Sequence, residues 1–134
     1  MEDKAMIDVS AAFIKNGLKI LICRRGEGKN CSGMWEFPGG KREKDETGEQ
    51  ALERECMEEL GITVSAGSLL ADTVYEYPDR TIHLSLYEAV ITDGSPACLE
   101  HSEILWVEAD DLKNYDFCPA DRLLIRELSD KGHI

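Results

Sequence analysis

Residues Gly40–Ile62 read GKREKDETGEQALERECMEELGI, and this stretch decides the architecture. Glu55, Glu58 and Glu59 stand at i, i+3 and i+4, so a helix brings all three carboxylates onto one face. Like charges at that spacing cost roughly 0.2–0.5 kcal/mol per pair in an isolated helix. A hard divalent cation reverses the sign. Mg2+ or Mn2+ takes oxygen ligands, keeps some of its waters and joins protein carboxylates to substrate phosphates. The local signals predict a helix over 48–60. Thr47 and Gln50 have the spacing of a capping box. Leu52, Cys56 and Leu60 recur every fourth position as a narrow apolar stripe beside the acidic face. Gly61 is placed to end the helix in the left-handed conformation, where a Cβ is unwelcome.

Immediately upstream, Trp35-Glu36-Phe37-Pro38-Gly39-Gly40 reads as a short strand over 35–37 running into a backbone turn, where paired glycines let the main chain approach a ligand. Further upstream, strands over 4–14 and 18–24 are joined at Asn16-Gly17, a strong hairpin signal. Downstream, strands are predicted over 69–77, 81–91 and 104–107. Pro78-Asp79 turns the chain between the first two of these, and Asp93-Gly94 ends the second. A second helix is predicted over 120–129, and a short one starts at Asp110 or Asp111. Strands interrupted by two main helices imply a mixed sheet covered on both faces, α/β or α+β on pattern alone.

At 134 residues and 43% hydrophobic content, the chain has enough apolar material for one core, so 1–134 is read as a single domain. It contains no run of eighteen apolar residues and no charged-then-apolar leader, and a soluble cytoplasmic protein away from membranes is expected. The five cysteines are odd in number and form no Cys-x-x-Cys pair, which suits reduced thiols in or near a core. A net charge of −12 disfavours nucleic-acid polymers, which need a basic footprint to displace counterions. A single nucleotide differs, because bound divalent cations neutralise both a carboxylate cluster and a triphosphate.

The same segment matches, at every fixed position, the Nudix box G-x5-E-x7-R-E-U-x-E-E-x-G-U, where U is a bulky hydrophobic residue. The matching residues are Gly40, Glu46, Arg54, Glu55, Cys56, Glu58, Glu59, Gly61 and Ile62, with Cys56 a small member of the hydrophobic class. The chain therefore resembles the Nudix hydrolases. It is similar to their MutT and CTP pyrophosphohydrolase branch in Phe37-Pro38-Gly39-Gly40-Lys41, Tyr77-Pro78-Asp79-Arg80, the stretch from Glu100 to Trp106, and Phe117-Cys118-Pro119-Ala120-Asp121. The resemblance implies an α/β/α sandwich with a mixed β-sheet between helices. It also implies a Mg2+- or Mn2+-dependent nucleoside triphosphate pyrophosphohydrolase, acting on oxidised nucleotides of the 8-oxo-dGTP kind or on CTP- and dCTP-like ones. The expected products are a nucleoside monophosphate and pyrophosphate. A hydrolase of another nucleoside diphosphate derivative, such as a sugar nucleotide, and a noncatalytic nucleotide sensor are the alternatives. The expected partner is a small-molecule nucleotide, and the expected assembly a monomer or homodimer.

Residue roles follow from the resemblance. Glu55, Glu58 and Glu59 would hold the metal with the Gly39 carbonyl, since a hard cation accepts backbone oxygen as readily as carboxylate. Arg54 would steer Glu55 through a charge-assisted hydrogen bond, and Glu46 would close its loop against the helix. Glu100 lies where related enzymes place a further metal ligand or base, with Glu103 the alternative. Glu55 is the first choice for taking the proton of the attacking water and Glu100 the second. Arg25 and Lys41 are candidates for phosphate contacts, Phe37 or Phe117 for packing near the base, and Arg80 for covering the nucleotide. Asp121 matches the position where MutT-like enzymes carry an asparagine that reads oxidised guanine. An ionised aspartate only accepts, which favours an exocyclic amine such as cytosine's or a ring N–H such as that of 8-oxoguanine. Protonation in a buried pocket would widen that choice. The local alternative is that Asp121 caps the second helix. His83, alternating with Ile82 and Leu84, reads as structural.

Overall fold

Strands β1 (Met6–Asn16) and β2 (Lys19–Arg24) carry long apolar runs because both faces of the sheet are covered. In the computed structural model, which describes residues 5–134, their side chains alternate between two cores. Ala11, Phe13, Ile20 and Ile22 face one core, closed by Ala120, Leu124 and Leu128 of helix α2 (Pro119–Asp130). Ala12, Ile14, Leu21 and Cys23 face the other, closed by Leu52, Cys56 and Leu60 of helix α1 (Gly48–Leu60). Burying each of these leucines contributes about 1.5–3 kcal/mol. The result is the α/β/α sandwich. Its sheet is mixed, since β1 runs parallel to β6 (Thr81–Asp93), which pairs antiparallel with β5 (Thr63–Glu76). Among the described residues, no helix is long and apolar enough to cross a membrane.

The sheet opens where the site lies. The hairpin at Gly17 pairs β1 with β2 at Lys15↔Ile20 and Asn16↔Lys19. Beyond it the strands part company. β1 takes β4 (Gly39–Lys41) on that side, while β2 takes β3 (Trp35–Glu36) and β7 (Glu103–Glu108). The segment from Trp35 to Lys41 thus crosses the gap and feeds directly toward α1.

Helix α1 is set by the signals read from its sequence. Gln50 N donates to Thr47 Oγ1 at 3.1 Å, Thr47 N donates to Gln50 Oε1 at 2.9 Å, and Gly61 ends the helix at φ 67°. Other boundaries differ from expectation. The start of β1 expected at residue 4 lies outside the described residues. Gly39–Lys41 forms a strand rather than a plain turn, because its backbone pairs with Val9–Ala11 without any side-chain alternation to announce it. β5 begins at Thr63 rather than 69, as register shifts after Thr63, Ala66 and Leu69 break the period of two. The short helix near Asp110 is a 3-10 turn over Ala109–Asn114. The cap of α2 is Cys118, with Pro119 supplying the fixed φ of the first turn, so Asp121 is not the N-cap.

His83 is structural in a specific sense: Nδ1 and Nε2 each lie 3.0 Å from a carboxylate, of Asp8 on β1 and Asp72 on β5 respectively. The hydrogen bond to Asp72, and then that to Asp8, raise its pKa. A raised folded-state pKa adds stability at pH below the unfolded value of about 6.5 and loses it as pH rises through the folded value. Thermal unfolding of His83→Gln against wild type is therefore expected to show its largest deficit below pH about 6, shrinking at higher pH. The deficit stays under ~1 kcal/mol because the group is partly solvated. A deficit that grew with pH would contradict the assignment.

Candidate active site

Arg54 organises the acidic end of α1. Its Nε and Nη2 reach Glu46 at 2.7 and 3.1 Å, Nη1 reaches Glu55 at 2.9 Å and Glu58 at 3.2 Å, and Nη2 also donates to the Lys41 carbonyl at 3.0 Å. One guanidinium thereby ties the preceding loop, β4 and two box glutamates together. Glu46 in turn accepts from the Glu43 amide at 2.9 Å. The Arg54 hydrogen bonds hold the Glu46 carboxyl down at about 2. As expected, Glu46 closes the loop.

Glu59 is in a different state. Burial, followed by a hydrogen bond with the Glu55 carboxyl and the charge of Glu36, pushes it up to about 9. Its Oε1 is buried without a protein partner. Gly40 leaves no space above this pair, since a Cβ there would stand 2.3 Å from the Glu55 carboxyl carbon. Glu55, Glu58, Glu59, Gly39 and Glu100 line one acidic pocket, with Arg25, Lys29 and His101 at its sides. Glu100 is exposed and pairs with Lys29 at 2.7 Å, which lowers its pKa.

A second pocket adjoins it. Its apolar lining includes Phe37, Ile82 and Leu84, and its polar lining Tyr77, Arg80 and Asp121. Arg25, Glu36 and Gly39 line both pockets and form the wall between them. Asp121 is 6% exposed and accepts from the Phe37 amide at 3.0 Å. Burial, reinforced by the charge of Glu36, raises its pKa well above the carboxylate range, which favours the neutral acid. A neutral carboxyl both donates and accepts, as an amide does.

This pairing of an acidic pocket with a half-apolar one, around a complete box, has relatives. Residues 10–127 match the NUDIX domain family. The chain belongs to that family. It is 39% identical over 116 residues to the CTP pyrophosphohydrolase of Escherichia coli (strain K12), covering 87% of this chain and 86% of that one. To the 8-oxo-dGTP diphosphatase of Haemophilus influenzae it is 38% identical over 132 residues, 98% of this chain and 97% of the relative. The solution structure of the E. coli ORF135 protein superposes with a TM-score of 0.83 at 36% identity, covering 96% of this chain and 92% of that one.

Nudix hydrolases generally use divalent metal ions, and the acidic pocket suits one. Glu55 and Glu59 line this pocket together, and Glu59 Oε1 is buried without a protein partner, a donor set that a hard cation satisfies. Such a cation keeps several waters, so the glutamates need not converge on a point. They do not. Among the described residues, the trio of ligand atoms lying within 4.8 Å of one another is Glu36, Cys118 and Asp121 in the second pocket. There Arg25 and the Phe37 amide already answer the carboxylates, and a thiol suits softer metals.

Two expected binding residues are not brought to the site. Lys41 projects beside Arg42 and Asp45 on another surface, leaving its carbonyl to Arg54. Phe117 is 1% exposed and lines neither pocket, packing its ring 5.6 Å from that of Phe37. Phe37, Arg25 and Arg80 do line the second pocket, with Arg80 stacked 4.8 Å over the Tyr77 ring. Glu36 and His101 escaped the sequence reading. A glutamate between two aromatics in a predicted strand was the available signal for the first; His101 in a polar loop offered none.

Proposed function

We propose that this Nudix chain is a Mg2+- or Mn2+-dependent pyrophosphohydrolase that converts nucleoside triphosphates to monophosphates and pyrophosphate, taking CTP-like or oxidised nucleotides. The shared wall between the two pockets carries this reading. A nucleotide has the same division, with charged phosphates at one end and a flat base carrying polar edges at the other. The names of the two curated relatives support the same substrates. Glu55, Glu59 and the Gly39 carbonyl, with Glu58 and Glu100, would hold the cation. When bound, it supplies charge neutralisation on the triphosphate and acidifies water. Arg54 keeps Glu55 and Glu58 aimed, and Arg25 and Lys29 give the phosphates cationic contacts. Glu55 accepts the proton of the attacking water, with Glu100 the second choice. Water attacks one phosphorus of the α–β bridge, so its oxygen ends on the product carrying that phosphorus, while the bridging oxygen leaves on the other product with the electron pair of the broken P–O bond.

The test is a panel of normal, methylated and oxidised triphosphates with Mg2+ or Mn2+, measuring pyrophosphate against orthophosphate. Pyrophosphate is expected from cytosine or oxidised-guanine nucleotides; its absence from every member overturns the proposal. Asp121→Asn replaces a buried acid by an amide with one more N–H, matching the MutT-like residue. The ratio of dCTP to 8-oxo-dGTP turnover is expected to fall by about tenfold, the size of one hydrogen bond. An unchanged ratio would place base reading elsewhere.

A further inference from the structure

Glu36 stands in the wall between the pockets, and both its oxygens are engaged. Arg25 Nη1 lies 3.0 Å from Oε1, and His101 Nε2 lies 2.9 Å from Oε2. A carboxylate only accepts, so His101 carries a proton on Nε2. The His101 side chain is 5% exposed, the residue lines the acidic pocket, and its Nδ1 is buried without a protein partner.

The chain around His101 explains what the clamp governs. Glu100 precedes it, and the Glu100 contact with Lys29 is an exposed pair that fixes little. Ser102 follows, with its N–H on the Arg24 carbonyl at 3.0 Å. The His101 carbonyl accepts from Cys98 Sγ at 2.9 Å. The loop is thus stitched to β2 by its backbone, and the ring on Glu36 is its inward anchor.

We propose that His101 is a positioning residue. By gripping Glu36 with its ring and carrying Glu100 on its backbone, it sets the acidic pocket in register with the pocket for the nucleobase. Loss of the grip leaves binding of the base largely intact but misplaces Glu100 at the phosphates. The kinetic consequence rests on the pyrophosphohydrolase reading; the clamp itself does not.

Three substitutions separate the clamp from packing. Glutamine presents an amide N–H near the position of imidazole Nε2, whereas asparagine reaches only as far as Nδ1 and alanine presents nothing. With dCTP and Mg2+, His101→Ala and His101→Asn are expected to lose roughly 10–100-fold in kcat, with KM changed less than about threefold; His101→Gln recovers to within about threefold of wild type. Amide hydrogen exchange without nucleotide or metal is the second readout. Exchange at Ser102 is expected to quicken about tenfold in the alanine and asparagine variants and not in glutamine. If alanine fails to fold, the asparagine–glutamine comparison carries the test. Glutamine as impaired as asparagine, or asparagine indistinguishable from wild type, overturns the proposal. A wild type that releases pyrophosphate from no triphosphate sinks the functional reading instead. The exchange rates then decide the clamp alone: fast asparagine with slow glutamine upholds it, and equal rates overturn it.

Discussion

Glu58→Gln is expected to slow pyrophosphate release by about a thousandfold or more, as loss of several kcal/mol of charge stabilisation requires. The fold is expected to stay unchanged. The Glu58 side chain is 58% exposed and touches Arg54 at 3.2 Å, while Arg54 keeps its stronger contacts to Glu46 and Glu55. Surface changes of this kind move stability by less than about 0.5 kcal/mol, so the unfolding midpoint should stay within about 2 °C of wild type. Glutamine keeps the size and one oxygen but removes the charge. A variant that retained the wild-type rate would take Glu58 out of the cation site.

Gly39→Ala should act the other way round, through the backbone. A Cβ at Gly39 would lie 2.1 Å from the Ser10 carbonyl oxygen and 2.7 Å from the Ala11 Cα, both on β1. Neither atom is the end of a flexible side chain, and both residues are buried, so β4 must pull away from β1. Overpacking of this kind costs about 3 kcal/mol or more, which lowers the midpoint of a chain this size by about 10 °C. Gly39 lines both pockets, so activity should fall with it. A thermal scan showing an unshifted midpoint would mean that the β1–β4 contact is looser than the structure has it.

These two cases show why some of the site was readable in the letters. Helix α1 is specified locally: Thr47, Gln50, the Leu52–Cys56–Leu60 stripe and Gly61 fix its ends and its buried face without help from distant residues. The carboxylate face follows from the same period. β4 was not readable, because glycines carry no alternation and its partner lies about thirty positions upstream on β1. Lys41 and Phe117 sit next to telling motifs, yet adjacency does not say which way a side chain points. The Lys41 side chain is turned away by the strand that gives its carbonyl to Arg54, and Phe117 is drawn into the core beside Phe37. Glu36 and His101 are 65 residues apart. Only the pairing of β3 and β7 on opposite sides of β2, at Cys23, brings their neighbourhoods together. No local pattern encodes that meeting. The Asp121 carboxyl was visible as a departure from asparagine, but the upward push on its pKa comes from burial and from Glu36, both tertiary facts.

The acidic face of α1 is proposed to capture a divalent cation. Titrating Mn2+ into the protein with a nonhydrolysable CTP analogue, followed by water-proton relaxation, tests it directly. Saturable binding by wild type is expected, weakening by about tenfold or more in Glu58→Gln. A wild-type protein that binds no Mn2+ with the analogue present would contradict it.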